Sequence, residues 1–279
     1  MTTPASGAPL AVLVDGEASA AEWTLDRGLH YGDGLFETIG VRDGQLRFEA
    51  LHQTRLTEGC ARLSIEVDLE RLWQQARSLA ARHPSCTLKL LISRGSATAR
   101  GYAPGGTERA RVLLFAYAAN AGPEVPARVS VTTLRAVLGE NPQLAGIKHC
   151  NRLEQVLART ELRSLSGAFE GLMASSSGHL ISGTMSNVFL EQDGILMTPR
   201  LDRCGVAGVM RAVVLREAAQ AGLAVRVDEI ALDVLQRCDG LFLTNARIGV
   251  LPVRELDGRP LAISTAVQEL ARRVNALAR

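Results

Sequence analysis

Only two lysines occur in this chain, at positions 89 and 148, and the other basic side chains are arginines. Lys148 follows the apolar stretch 144–147 and precedes a predicted helix, so we expect its amine to be partly desolvated. Desolvation penalises the ammonium ion and leaves a neutral amine, which can form a Schiff base with a carbonyl compound. Lys89 lies in an alternating strand and is predicted to be an exposed strand residue. Lys148 is therefore the candidate nucleophile, although the residues alone also allow a surface lysine beside a helix.

Segments rich in glycine and hydroxyl groups, at predicted helix and strand ends, could bind a phosphate. Proteins bind phosphate through backbone N–H groups at a helix N-terminus, hydroxyl groups and arginines. Gly208, Val209 and Met210 begin a predicted helix and could supply the amides, and Thr244 could supply a hydroxyl. Each of these segments could equally be an ordinary turn.

Other familiar kinds of site find no support in the sequence. It contains no Gly-x-Gly-x-x-Gly after a strand, no phosphate loop ending in Gly-Lys-Ser, no His-Glu-x-x-His and no Gly-x-Ser-x-Gly. The five histidines and five cysteines are widely spaced and include no Cys-x-x-Cys pair. We therefore expect no metal site and no disulfide framework.

The composition is that of a folded protein with a sizeable core. The chain has 279 residues, of which 47% are hydrophobic and 22% charged. Its 31 basic and 29 acidic residues are scattered, which argues against a nucleic-acid-binding or membrane-binding surface. Because no apolar run is long enough to span a membrane, we expect a cytoplasmic protein.

The candidate residues must be positioned by a mixture of strands and helices. In the first part of the chain, hydrophobic periodicity predicts strands at 11–14, 35–42 and 45–48, helices at 51–63 and 69–81, and strands at 87–92 and 111–117. In the second part it predicts a strand at 128–134, a helix at 151–164, short strands between 169 and 199, a helix from 208, a strand at 224–227, a short helix, a strand at 240–244 and a final helix from 264. The Gly/Pro-rich loop 95–107 separates two strands and is expected to contact substrate.

A change in composition near residue 118 suggests a domain boundary. The sequence there becomes rich in Ala, Asn, Gly and Pro, and two prolines at 123 and 126 interrupt any regular element. We predict a small N-terminal α/β domain at 1–118, a linker at 119–126 and a larger C-terminal domain at 127–279.

Several segments together resemble the fold-type IV pyridoxal-phosphate enzymes, which include branched-chain aminotransferases, D-amino acid aminotransferases and 4-amino-4-deoxychorismate lyases. These segments are 31–38, 146–155, 186–189 and 198–202, in the family's order along nearly the whole chain. The run Lys-His-Cys-Asn-Arg-Leu-Glu-Gln at 148–155, and the segments 92–95 and 100–102, most resemble the lyases. The resemblance implies an α/β (α+β) fold of two domains, with a β-barrel-like core in the larger one. It also implies pyridoxal 5'-phosphate bound between the domains and assembly as a homodimer.

The resemblance also implies roles for particular residues. Lys148 would bind the cofactor covalently through its amine. Arg55 would hold the cofactor phosphate together with the backbone amides of Val209 and Met210 and the hydroxyl of Thr244. From the residues alone, Arg55 would have been assigned as an exposed helix residue.

Three further residues would act on the substrate. Arg100, with Tyr102, falls where relatives bind a substrate carboxylate, within the loop already expected to contact substrate. Thr38 lies in a predicted strand and is, with Lys148, a candidate acid for protonating the leaving group; its residue-based alternative is an ordinary strand residue.

This chain departs from the family pattern at Ser182. Relatives commonly carry a glutamate there, which pairs with the pyridine nitrogen of the cofactor and keeps it protonated. A serine hydroxyl can donate a hydrogen bond to that nitrogen but supplies no compensating charge, so the ring should be a weaker electron acceptor. We hypothesise that this favours a reaction assisted by aromatisation of the product over full transamination.

The resemblance implies that the chain converts 4-amino-4-deoxychorismate, an amine with two carboxylates, to 4-aminobenzoate and pyruvate in folate biosynthesis. Two alternatives stay open. The first is a D-amino acid or branched-chain aminotransferase of the same family, which would convert the cofactor to its pyridoxamine form. The second is a non-catalytic binding module that has kept the fold.

Overall fold

The structure is a computed structural model and describes residues 12–15, 17–18, 21–97, 101–119, 127–165 and 167–278. Its strands are β1 (Leu13–Val14), β2 (Glu17–Ala18), β3 (Gly34–Arg42), β4 (Gln45–Leu46), β5 (Ser85–Ser93), β6 (Arg111–Ala118), β7 (Val129–Leu138), β8 (Glu170–Ser175), β9 (His179–Gly183), β10 (Asn187–Gln192), β11 (Ile195–Pro199), β12 (Val225–Asp228), β13 (Ile230–Ala231), β14 (Gly240–Asn245), β15 (Gly249–Leu256) and β16 (Arg259–Pro260). Its α-helices are α1 (Arg27–Tyr31), α2 (Glu49–Leu63), α3 (Leu69–Arg82), α4 (Leu153–Ser164), α5 (Val209–Gln220) and α6 (Thr265–Ala278). Two 3-10 helices cover Glu22–Leu25 and Leu232–Gln236.

The smaller sheet is antiparallel, with the strand order β4-β3-β5-β6. Because side chains alternate between the two faces of a strand, Leu35, Ile39 and Val41 of β3 all point to one face, where they join the core formed with α2 and α3. Phe36 and Thr38 point to the opposite face. The sheet therefore presents these two side chains to the rest of the molecule.

The larger sheet has the order β12-β11-β10-β14-β15-β7-β8-β9-β13, with β16 beside β15. β9 also lies against β10 and β11, so the sheet returns on itself as a nearly closed, barrel-like structure. Val188, Leu190 and Leu241 fill its interior. Phe189 and Phe242 stack on the outside at 4.9 Å, where α5 and α6 cover them. The period-2 alternation of β10 and β14 thus separates the interior of the sheet from its helical layer.

Several sequence-based boundaries need correction. The segment between the predicted strands 11–14 and 35–42, to which no helix was assigned, contains a short helix, α1, which begins after the N-cap Asp26 and ends at Gly32 in the left-handed region, with a φ of 64°. β7 runs four residues beyond the predicted strand, to Leu138. The short helix predicted between β12 and β14 is the 3-10 helix Leu232–Gln236.

The predicted linker 119–126 lies, except for residue 119, outside the described residues. The domain boundaries therefore stay a prediction. In the part of the chain that the structure describes, no helix has both the length and the apolar character needed to cross a membrane.

Candidate active site

A cavity of about 370 Å³ lies where the two sheets meet. It is lined by β3, the segment after residue 147, the turn 182–187, the start of α5 and the turn after β14. The cavity brings together six residues predicted from the sequence: Thr38, Arg55, Lys148, Ser182, Val209 and Thr244. Met210 does not line the cavity, and its side chain is buried in the core beneath α5.

Lys148 enters the cavity from a segment that pairs with the beginning of β3. Its carbonyl accepts a hydrogen bond from the backbone N–H of Phe36 at 3.0 Å, and its Nζ lies 4.3 Å from the centre of the Phe36 ring. Burial, and next to it the charge of Arg55, lowers the pKa of Lys148 to about 8, while Glu37 opposes the shift. A usable fraction of the amine is therefore neutral near neutral pH.

Arg55 projects inward from α2 and is held by a buried carboxylate. Its Nε donates to Glu37 Oε1 at 2.8 Å, its Nη2 donates to Glu37 Oε2, and its Nη1 donates to the carbonyl of Ala207 at 2.9 Å. Nδ1 of His52 lies 2.7 Å from Glu37 Oε2. Burial opposes ionisation of Glu37, but the hydrogen bonds from His52 and Arg55 hold its pKa at about 2. Glu37 thus fixes Arg55 at the edge of the cavity.

The start of α5 approaches the cavity closely. Gly208 is the N-cap of the helix, and a Cβ at this position would lie 2.0 Å from Asn187 Oδ1, so any larger residue would have to displace the Asn187 side chain. Val209 and Met210 are the first two helical residues, and their N–H groups have no partner within the helix. Thr244 is completely buried, and its Oγ1 has no hydrogen-bond partner among the described residues.

Residues 184–186 of the turn 182–187 donate hydrogen bonds to Glu170, a fully buried carboxylate that sequence analysis missed. Glu170 accepts hydrogen bonds from the backbone N–H groups of Thr184 at 3.1 Å and Met185 at 3.2 Å, and from Ser186 Oγ at 3.0 Å. Glu170 does not itself line the cavity, and neither does any other carboxylate of the described residues. One sequence signal could have identified Glu170. It is the only charged residue of β8, and it stands at the start of this strand, whose six residues are all buried.

Lys89 is half-buried, which corrects its prediction as an exposed strand residue. It pairs with Thr38 in the antiparallel register of β3 and β5, so both side chains share a face of the sheet. Its Nζ lies 5.8 Å from the centre of the Phe36 ring. Sequence analysis also missed three residues that line the cavity, namely Arg152, Gln155 and Arg247.

The loop expected to contact substrate is only partly described. Arg100 lies outside the described residues. Tyr102 is 84% exposed and does not line the cavity, and its ring contacts Tyr31 edge-on at 5.4 Å. The buried Arg27 donates to the carbonyl of Tyr102 at 2.6 Å, which ties the loop to α1. The substrate-binding roles of Arg100 and Tyr102 stay predictions.

The fold and the cavity together define an α/β enzyme whose active-site candidate is built around one buried lysine amine. The model of the class IV aminotransferase family matches residues 34–256, and the chain belongs to this family. It is 35% identical over 254 residues to an aminodeoxychorismate lyase from Vibrio harveyi, covering 89% of this chain and 92% of that protein. It is 27% identical over 257 residues to a branched-chain-amino-acid aminotransferase from Pseudomonas aeruginosa, covering 87% and 82% of the two chains.

A solved structure supports the same assignment. The crystal structure of 4-amino-4-deoxychorismate lyase from Pseudomonas aeruginosa superimposes with a TM-score of 0.87 at 40% identity, covering 94% of this chain and 97% of that one. The predicted mixed α/β fold with a barrel-like sheet is therefore confirmed, as is the family resemblance of the sequence motifs.

Proposed function

We propose that this protein is a pyridoxal-phosphate-dependent lyase that converts 4-amino-4-deoxychorismate to 4-aminobenzoate and pyruvate in folate biosynthesis. The observation that carries the proposal is a buried amine with a pKa of about 8 in a cavity whose charged lining is cationic. Such a lining suits a substrate with one amine and two carboxylates. The identities of 35% and 40% to proteins named as this lyase support the same reaction. A cytoplasmic location belongs to the same proposal.

The residues of the cavity fit pyridoxal phosphate. The buried hydroxyl of Thr244 lacks a partner among the described residues, and a phosphate oxygen would supply one. The free amides at the start of α5 and the guanidinium of Arg55 add the donors that a phosphate needs. Lys148 would hold the aldehyde carbon. When bound, the cofactor supplies a ring that accepts electrons from the carbon atoms next to the substrate amine.

The chain's own residues would carry the proton transfers. The free amine of Lys148 would be a base able to remove the proton from the substrate carbon that bears nitrogen. The carbon–oxygen bond that joins the enolpyruvyl group to the substrate would then break, and the six-membered ring of the substrate would become aromatic. Either Lys148 or the hydroxyl of Thr38 protonates the enolpyruvyl methylene to give pyruvate. Both groups line the cavity, as this assignment requires.

Ser182 supports a lyase over an aminotransferase. It lies buried in the cavity lining, and the described part of that lining contains no carboxylate to keep a pyridine nitrogen protonated. A weaker electron acceptor is tolerable when formation of an aromatic ring drives the reaction. We predict that Ser182→Glu changes the visible spectrum of the cofactor-loaded protein and its lyase rate. An unchanged spectrum together with an unchanged rate would show that this residue does not tune the ring.

The experiment that tests the function is measurement of pyruvate and 4-aminobenzoate from aminodeoxychorismate with the cofactor-loaded protein. The lyase is supported by equal amounts of the two products without conversion of the cofactor to its pyridoxamine form. An aminotransferase would instead make that form when mixed with an amino acid. A protein that binds no cofactor would favour a non-catalytic module.

We also propose that the protein is a homodimer. The first two turns of α4, directly after the active-site segment, expose Leu153, Val156 and Leu157 by 77%, 55% and 65%. Large apolar side chains clustered in this way favour burial against another chain. Sedimentation velocity would test this, and a sedimenting monomer at micromolar concentration would contradict it.

A further inference from the structure

Arg152 is a half-buried arginine whose guanidinium is only partly hydrogen-bonded. It is the N-cap residue of α4, and its Nε donates to the carbonyl of His149 at 2.8 Å. Its Nη2 is buried and has no hydrogen-bond partner within the described part of the chain. An unsatisfied donor on a buried cation destabilises the protein, so its retention calls for a ligand.

Gln155, one turn further along α4, has a similar unpaired group. Its Oε1 is buried and lacks a partner among the residues described. Both side chains line the cavity that contains Lys148. An anionic oxygen of a ligand would need the donor Nε2 of Gln155, which a half-turn of the amide places at the position of Oε1. Arg152 and Gln155 could then both donate to one oxygen.

The two arginines near Lys148 differ in how their charge is balanced. Arg55 is paired with Glu37 in a buried ion pair. Arg152 has no such salt bridge within the structure described, and Glu154 on its own helix and Cys150 are the groups that raise its pKa. Burial lowers the pKa of Arg152 to about 10, so it is cationic at neutral pH. Its charge is thus available to a ligand, whereas most of the donors of Arg55 are already engaged.

We propose that Arg152 and Gln155 form a subsite for an anionic oxygen of the ligand held at Lys148. The inference rests on the proposed function and names a positioning site that this function alone does not require. Two oxygens share this chemistry, the phenolate of the cofactor and a carboxylate of the substrate. The subsite would also compensate for the uncharged side chain of Ser182, because it would supply a positive charge to the ligand in a cavity whose described lining has no carboxylate.

The test compares the wild type with Arg152→Gln and Arg152→Lys, using pyridoxal phosphate and 4-aminobenzoate as probes. The control is Arg163→Gln, an exposed arginine in the last turn of the same helix. If the oxygen is the phenolate, Arg152→Gln raises the pH midpoint of the visible absorption change by about one unit or more and weakens cofactor binding about tenfold. If it is a carboxylate, pyridoxal phosphate binds within twofold of its wild-type affinity and 4-aminobenzoate binds about tenfold or more weakly. In either case Arg152→Lys is intermediate and Arg163→Gln matches the wild type.

The charged groups that act on Lys148, namely Arg55, Glu37, Arg152 and Lys89, are otherwise the same in all variants, so the midpoint reports the change at Arg152. Melting of the ligand-free proteins separates a structural role from a ligand-binding one. We expect Arg152→Gln to melt at or above the wild-type temperature without ligand and to lose part of the stabilisation that ligand gives.

The inference is overturned if Arg152→Gln leaves the midpoint and both affinities within twofold of the wild type, or if it lowers only the melting temperature of the ligand-free protein. A wild-type protein that gives no visible band with pyridoxal phosphate would overturn the proposed function itself. The two failures are therefore distinguishable.

Discussion

Lys148 holds an amine whose pKa is about 8 in the folded chain, against an ordinary value of 10.5. Below pH 8 the folded protein must carry a buried ammonium ion, and this cost falls as the pH rises from 8 to 10.5, because the unfolded chain then binds more protons. Lys148→Met should therefore stabilise the ligand-free protein at pH 7 by about 1–3 kcal/mol, with the gain shrinking towards pH 10.5. Urea unfolding at pH 7 and pH 10 measures this difference.

The control for this measurement is Lys148→Arg, which keeps a positive charge and should show no gain at pH 7. A Lys148→Met protein less stable than the wild type at pH 7 would mean that the amine contributes packing or hydrogen bonds that outweigh its desolvation.

Glu37 has the opposite linkage, because its pKa is lowered from 4.5 to about 2. Its stabilisation is present above pH 4.5 and is lost as the pH falls towards 2. We expect Glu37→Gln to destabilise the protein by about 2–3 kcal/mol at pH 6 and by much less near pH 2.5. Urea unfolding at the two pH values tests this. An equal loss at both would show that the shape of the side chain matters and its charge does not.

At the scale of single residues, the sequence indicated some site residues and not others. Lys148 was recognisable because lysine is rare in the chain and follows an apolar stretch. Arg55 could be assigned only through the family resemblance, since its local pattern is that of a surface helix. Arg152 is one arginine among many, and its isolation from carboxylates is a property of the tertiary structure alone. Glu170 had a sequence signal, a single acid at the start of an apolar strand, but its hydrogen bonds to residues 184–186 exist only in the folded protein.

At the scale of elements, the turn that carries the active-site lining depends on Glu170. Because this buried carboxylate accepts hydrogen bonds from three residues of the turn, Glu170→Gln should place an amide against their donors. We predict a loss of about 2–4 kcal/mol in the free energy of unfolding. Glu269→Gln, on the exposed face of α6, is the control and should change stability by less than about 0.5 kcal/mol. Equal effects of the two substitutions in urea unfolding would contradict the assigned role.

Elements with a long amphipathic repeat were predictable from the sequence. α2, α3 and α4 begin or end within a few residues of the predicted ranges, because their apolar residues recur at helical spacing. α1 was not predicted, since five residues with an internal glycine carry little periodic signal. The placement of Lys89 was wrong because strand alternation gives two faces without saying which one is covered.

At the scale of the whole molecule, the active-site candidate is assembled from segments far apart in the chain. β3, the segment after residue 147, the turn 182–187 and the turn after β14 meet only in the folded protein. No local pattern links them, so only the order of the family motifs allowed their association to be predicted. The domain boundary at 119–126 stays a prediction.

Covalent binding of the cofactor by Lys148 underlies the proposed reaction, and peptide mapping after borohydride reduction measures it. The protein is mixed with pyridoxal phosphate, its visible spectrum is recorded, and the reduced adduct is located by mass spectrometry. We predict a yellow band that disappears on reduction and a stable adduct on Lys148. Because the chain has only one other lysine, Lys89, the map is decisive. The absence of a band, or an adduct confined to Lys89, would contradict covalent binding of the cofactor by Lys148.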